Sequence, residues 1–260
     1  MKPKHLIVNL LLATEEPISA HILVGVCQLF GITPNNARVT LARLTADNMV
    51  DVPQRGFYQL GQTAEPLAEA LADWREKEAT TCEWNQDWIG VFIGALGRTD
   101  RTGLRRRMRV LNLAGFEELE QGLFIRPNNL KGGVSALRTR LYHFGLEEKA
   151  RVFSLGDLSD AEQKQAIGLW DVDALMATYQ QDCDEMLDWL AGMDALTLEE
   201  AARQSFVMGD AVLRRVAYDP MLPAEMIDVA LRAKRVEIMV EYDRVGKTFF
   251  YELYRSLSEA

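Results

Sequence analysis

The segment from Phe30 to Leu60, with the helix that leads into it, constrains this chain more than any other. Ala20 to Gly31 reads AHILVGVCQLFG, an apolar helix closed by Gly31, the residue type that best tolerates the left-handed backbone ending many helices. Ile32 is placed to pack inward, and Thr33 or Asn35 to cap a new helix that starts near Pro34 and runs to about Asn48. Along that second helix Ala37, Leu41 and Leu44 recur at spacings of four and three and mark its buried face. The opposite face carries Asn35, Asn36, Val39, Ala42 and Arg43, with Arg38 on the flank. Met49 to Val52, a turn over Pro53-Gln54-Arg55-Gly56 and Phe57 to Leu60 give a hairpin signal with Arg55 at its tip. Helix, tight turn, helix and hairpin together predict a winged helix-turn-helix over residues 1–62.

Such a module places one helix in the major groove of duplex DNA. Asn35, Asn36 and Arg43 are then the candidates for base edges, with Val39 beside them as an apolar contact. Arg38 and Arg55 have the reach and position for phosphates. Two other readings fit the same residues: Asn35 as a cap alone, and a helix pair that docks protein instead of DNA.

Charge is distributed unevenly. The whole chain carries a formal charge of -9 over 260 residues, but residues 1–60 sum to +1, 61–83 to -4, 84–156 to +5 and 157–260 to -11. An acidic C-terminal segment lowers nonspecific attraction to DNA without preventing phosphate contacts by a neutral or basic module. With 48% hydrophobic residues and no run of roughly 18 apolar positions, the chain predicts a soluble, non-membrane protein. The apolar run from Leu6 to Ala13 is interrupted by Asn9 and followed by Glu15-Glu16, which predicts a first helix and not a signal peptide. Three scattered cysteines, Cys27, Cys82 and Cys183, fit a reducing cytoplasm. The three histidines are equally scattered, so neither a zinc site nor a catalytic triad is expected.

Residues 63–83 read as a charged linker helix with Leu67, Leu71 and Trp74 on one face. Strands at Trp88–Ile93, Gly115–Leu119, Gly122–Pro127 and Ala150–Leu155 alternate with helices at Thr102–Leu111 and Ser135–Phe144. That order, β-α-β-β-α-β, predicts a ferredoxin-like domain over 84–156. From Trp170 the pattern is helical, with Leu175, Tyr179, Met186, Leu187 and Leu190 in register, a second stretch at Ala201–Ala217, a break at Tyr218 to Pro223, and a last helix from Glu225 to Leu257. Residues 157–260 are therefore expected to form a C-terminal helical domain, and the class is α+β. Its aromatic cluster, Phe249, Phe250, Tyr251 and Tyr254, reads as core or dimer interface, and Trp84 and Trp88 as packing residues.

The pieces together resemble the PaaX family of bacterial repressors, regulators of phenylacetic-acid degradation operons. The matching residues are Phe30-Gly31-Ile32, Arg38 with Arg43-Leu44, Tyr58 and Leu60, Trp84, Arg105-Arg106-Arg107, Gly115-Phe116, Gly122-Leu123-Phe124, Trp170-Asp171 with Leu175, and Asp219-Pro220-Met221-Leu222-Pro223. The last of these is the most specific. The resemblance implies a non-enzymatic homodimer that represses transcription at operator DNA until an aryl- or acyl-CoA thioester, phenylacetyl-CoA in the best-known branch, releases it. No other cofactor is implied. Arg105, Arg106, Arg107 and Arg109, in a series that begins at Arg98 and Arg101, are candidates for the effector's phosphates or for DNA backbone; a solvated helix face accounts for them as well. The sequence departs from the pattern where the central strand runs into Gly94-Ala95-Leu96-Gly97 without a carboxylate, and where Ile227 to Ala230 replace a proline- and tryptophan-containing segment. The alternatives are a metal-dependent nuclease or RNA-processing protein, for which the missing carboxylate is a first ligand lost, and a winged-helix protein-interaction module.

Overall fold

The computed structural model describes residues 2–12, 14, 16–61, 73–97 and 100–259; of the expected linker helix, Leu67 and Leu71 fall outside that set, as does Arg98. The chain is a mixed α+β protein with two antiparallel sheets. It divides into two compact units that do not follow chain order. Residues 1–72, 183–213 and 237–260 make the first, and 73–182 with 214–236 the second. The helical segment from residue 157 onward is therefore shared between the two units and is not a third one, because each of its long helices contributes residues to both.

In the first unit α1 (Pro3–Leu12), α2 (Ala20–Leu29) and α3 (Pro34–Ala46) enclose one apolar core built from Leu6, Ile7, Leu10, Leu23, Val26, Ala37, Leu41 and Leu44. Ser19 caps α2 by accepting the Ile22 amide at 3.3 Å. Gly31 ends the turn at φ +71°. The Ile32 amide then reaches back to the Cys27 carbonyl at 3.0 Å, which satisfies a helix-end acceptor. Asn48, at φ +52°, ends α3 in the same left-handed way. Beside the helices lies a three-stranded sheet in the order β1 (Ile18–Ser19), β3 (Phe57–Leu60), β2 (Val50–Gln54).

The turn between β2 and β3 is narrower than the four residues read from the sequence. Pro53 and Gln54 belong to β2, and only Arg55 and Gly56 (φ +82°) connect the strands. A proline has no amide to give the ladder, and the pairing slips by one residue between Asp51 and Gln54, which accommodates it.

The first unit also includes aromatic side chains from the C-terminal helices. Phe206 meets Phe30 edge-on at 5.5 Å and stacks with Phe250 at 6.2 Å; Trp189 contacts Tyr242 and Phe249. Phe249 and Phe250 are thus packing residues, whereas Tyr251 is 55% exposed. The side chain of Tyr254 lies outside the described residues.

The second unit is built on a four-stranded sheet in the order β5 (Glu117–Glu120), β6 (Leu123–Pro127), β4 (Trp88–Phe92), β7 (Arg151–Leu155), every neighbour antiparallel. Ile89, Val91, Phe124 and Val152 on one face share a core with Val110 and Leu111 of α4 (Arg101–Leu113) and Leu137 and Leu141 of α5 (Gly133–His143). Trp88 and Ile125 lie in a second cluster with Trp84, Trp170, Tyr179 and Leu222. Trp88 stacks on Trp170 at 6.0 Å and meets Trp84 edge-on at 5.2 Å. The later helices are α6 (Asp160–Ile167), α7 (Val172–Gly192), α8 (Leu198–Ala217) and α9 (Val229–Glu259). Among the described residues no helix is long and apolar enough to cross a membrane.

The Asp219-Pro220-Met221-Leu222-Pro223 element sits in the interior of this unit. Asp219 accepts the Met221 amide at 2.9 Å and the Arg235 guanidinium at 2.5 Å. Arg126 donates to the carbonyls of Ala114 and Pro220 and to Asn129, which in turn donates to the Met221 carbonyl at 2.7 Å. Arg232 holds Glu78 through two hydrogen bonds and the Leu222 carbonyl through a third. Lys77 donates to the carbonyls of Val216, Ala217 and Asp219, closing the end of α8. Desolvation is the main cause of three shifts here: it pushes Lys77 down to about 7 against the attraction of Asp219, pushes Arg126 down to about 9, and raises the Tyr179 phenol.

Candidate nucleic-acid interface

Helix α3 is amphipathic in an uncommon way: one face is apolar and sealed, and the other is polar without a single acid. Thr33, not Asn35, is the cap, with its hydroxyl accepting the Asn36 amide at 3.3 Å, and Pro34 follows at the first helical position. That frees Asn35 from the capping role. Ala37, Leu41 and Leu44 are each at most 2% exposed and fix the rotation of the helix about its axis. Asn35, Asn36, Arg38, Val39, Ala42 and Arg43 consequently face solvent, Val39 at 42%.

The 13 residues of α3 contain two arginines and no Asp or Glu. Its first turn, where the helix dipole is positive, presents the two asparagines. Thr40 and Thr45 spend their hydroxyls on the carbonyls of Asn36 and Leu41 and are not competing readers. Among the described residues no side chain of Arg38, Arg43 or Arg55 takes part in an ion pair or hydrogen bond, so all three guanidinium groups keep their donors exposed to solvent.

The hairpin adds an exposed tip. Pro53, Gln54, Arg55 and Gly56 are all exposed, and so are Val52 (44%) and Phe57 (38%). Sequence alternation does not single out these two, because the register slips between Asp51 and Gln54, next to both Val52 and Phe57. The third strand, β1, is not legible in the sequence, since two residues cannot show alternation.

Helix α4 divides its arginines by role. Arg107 is 4% exposed, donates to Glu147 at 2.9 Å and to the Gly97 carbonyl at 2.8 Å, and anchors the helix; it is no free phosphate ligand. That arrangement corrects its assignment to an effector site. Arg105, Arg106 and Arg109 are exposed. Arg106 stands 3.5 Å from Glu147, whose carboxyl stays below its usual range despite desolvation because Arg107 hydrogen-bonds it.

No protein-family model matches this chain, and no curated protein is similar to it. Among solved structures, an uncharacterized protein from Mycobacterium tuberculosis, Rv0674, is similar at 20% sequence identity, over 93% of this chain and 97% of that one, with a TM-score of 0.54. The likeness is one of fold.

Proposed function

We propose that this chain is a DNA-binding transcriptional repressor of a catabolic operon. The observation that carries the reading is the α3 face: Asn35, Asn36, Arg38, Val39 and Arg43 exposed together, with no acid on the helix, above the sealed seam of Ala37, Leu41 and Leu44. We read α1 to α3 with the β2–β3 hairpin as a winged helix-turn-helix, and Arg55 as the phosphate contact at the tip of the wing. The sheet order β5-β6-β4-β7, with α4 and α5 on one face, supports a ferredoxin-like reading of the second unit.

The resemblance to the PaaX family supplies the rest of the proposal: a cytoplasmic homodimer, without enzymatic activity, that leaves its operator when an aryl- or acyl-CoA thioester binds. An effector of that kind acts only by preferring the conformation that does not hold DNA. A twofold dimer would read half-sites spaced by whole turns of the duplex.

The test is selection from a pool of randomised duplexes with the full chain. Enrichment of one motif with inverted half-sites is the expected outcome. A pool that stays unenriched while the protein remains folded removes the reading. A thermal-shift series with phenylacetyl-CoA and other acyl-CoA thioesters then assigns the effector by the stabilisation it confers.

A further inference from the structure

Helices α4 and α5 cover one face of the sheet and between them contain seven arginines and no Asp or Glu. Arg107 is consumed by Glu147 and the Gly97 carbonyl, and Arg138 donates to the Val152 carbonyl. Arg101, Arg105 and Arg109 are different. They are spaced by four residues, so they form one row along α4 with a rise of about 6 Å between neighbours. All three are exposed, and among the described residues none of their side chains has a hydrogen bond, ion pair or ring contact.

We propose that the row of Arg101, Arg105 and Arg109 is a second DNA contact, binding the phosphate backbone of a duplex without regard to sequence. The proposal rests on the DNA-binding reading given above. A small anion, such as the phosphates of a coenzyme A, is held where donors converge in a concave site. A row about 12 Å long on the convex face of a helix suits a ligand whose charge repeats along its length. Duplex DNA offers one charge per roughly 1.7 Å of axis. Single-stranded nucleic acid is disfavoured because the exposed positions of α4 are Arg101, Thr102, Arg105, Arg106, Arg109 and Asn112, with no aromatic ring on which a base stacks.

The experiment is anisotropy titration of a labelled duplex of arbitrary sequence with the full chain, across roughly 50 to 200 mM salt. Three variants are compared with the unaltered protein: Arg101→Gln/Arg105→Gln/Arg109→Gln, the lysine equivalent at the same positions, and Arg38→Gln/Arg43→Gln/Arg55→Gln. Loss of three phosphate contacts makes the plot of log affinity against log salt shallower by about 2 to 3 and weakens binding by about 10- to 100-fold. The lysine variant keeps the charge and is expected to keep the slope. If the glutamine variant binds like the unaltered protein while the Arg38/Arg43/Arg55 variant does not, this surface is overturned and the reading head stands. If the pattern is reversed, the surface stands and the head falls. A lysine variant as weak as the glutamine one overturns the phosphate role, and an unaltered protein with no salt-dependent binding overturns both readings.

Discussion

Asp219 and Arg235 meet in the interior of the second unit: a carboxylate oxygen of the first lies 2.5 Å from a guanidinium nitrogen of the second, with both side chains at most 1% exposed. Asp182 faces the same guanidinium at 3.6 Å, and Tyr179 lies beneath it at 4.1 Å. Removing Asp219 leaves the buried Arg235 with only the more distant Asp182 carboxylate and takes the acceptor from the Met221 amide. Asp219→Ala should therefore lower the unfolding free energy by about 3 to 5 kcal/mol in urea titrations. A loss below about 1 kcal/mol would mean that Asp182 or water takes over the guanidinium and that the Asp219–Arg235 pair is not what holds the element.

Gly115 touches the same element from the sheet side. Its φ is +74°, and a Cβ there would stand 2.7 Å from the Cα and carbonyl oxygen of Pro220. Gly115→Ala combines left-handed strain of about 1 to 2 kcal/mol with overpacking of about 1 to 3 kcal/mol. Gly56 offers the control, since it is also left-handed at +82° but has nothing within 4 Å of such a Cβ. Thermal melts should rank Gly115→Ala well below Gly56→Ala, and equal melting temperatures would contradict the contact.

Lys77 gives the stability a defined pH dependence. Burial lowers its pKa to about 7, from the usual 10.5. Between those values the unfolded chain binds a proton that the folded chain does not, so unfolding becomes harder as pH rises through that window. Lys77→Met removes the titration. The stability of the parent minus that of Lys77→Met should rise from pH 7 to pH 10, and a difference that stays constant over that range would show the ammonium held charged by its three carbonyl acceptors.

If α3 reads DNA as proposed, Arg43 and Arg38 separate base reading from backbone contact. On a selected duplex, Arg43→Ala should relax discrimination at one position by about 1 to 3 kcal/mol. Arg38→Ala should weaken all duplexes alike and reduce the salt slope by about 1. Identical effects of the two substitutions would contradict the division of labour.

The legible parts of the fold are those fixed within a few residues. Gly31, Thr33 and the seam of Ala37, Leu41 and Leu44 announce α2, the turn and α3 because a helix reports itself every three or four positions. Each strand of the larger sheet lies within two residues of its sequence reading for the same reason, period two in place of 3.6. What was not legible depends on partners far away in the chain. Arg107 looks like its neighbours until Glu147, forty positions on, draws it inward. Leu187 fits the apolar register of α7, yet it is 44% exposed, because the buried stripe of that helix runs through Tyr179, Asp182, Cys183, Met186 and Trp189. Neither Asp219 nor Arg235 discloses from local pattern that it is a buried ion; the motif was visible, its role as an internal clamp was not.

The edge-on contact of Phe30 with Phe206 bears on how this protein comes off the ribosome. The first sixty residues emerge early, but the ring that shields Phe30 is translated about 170 residues later, and Phe250 later still. A nascent N-terminal segment therefore carries the Phe30 ring without its Phe206 partner until most of the chain has been made. Excising residues 1–61 would leave that ring face uncovered for good.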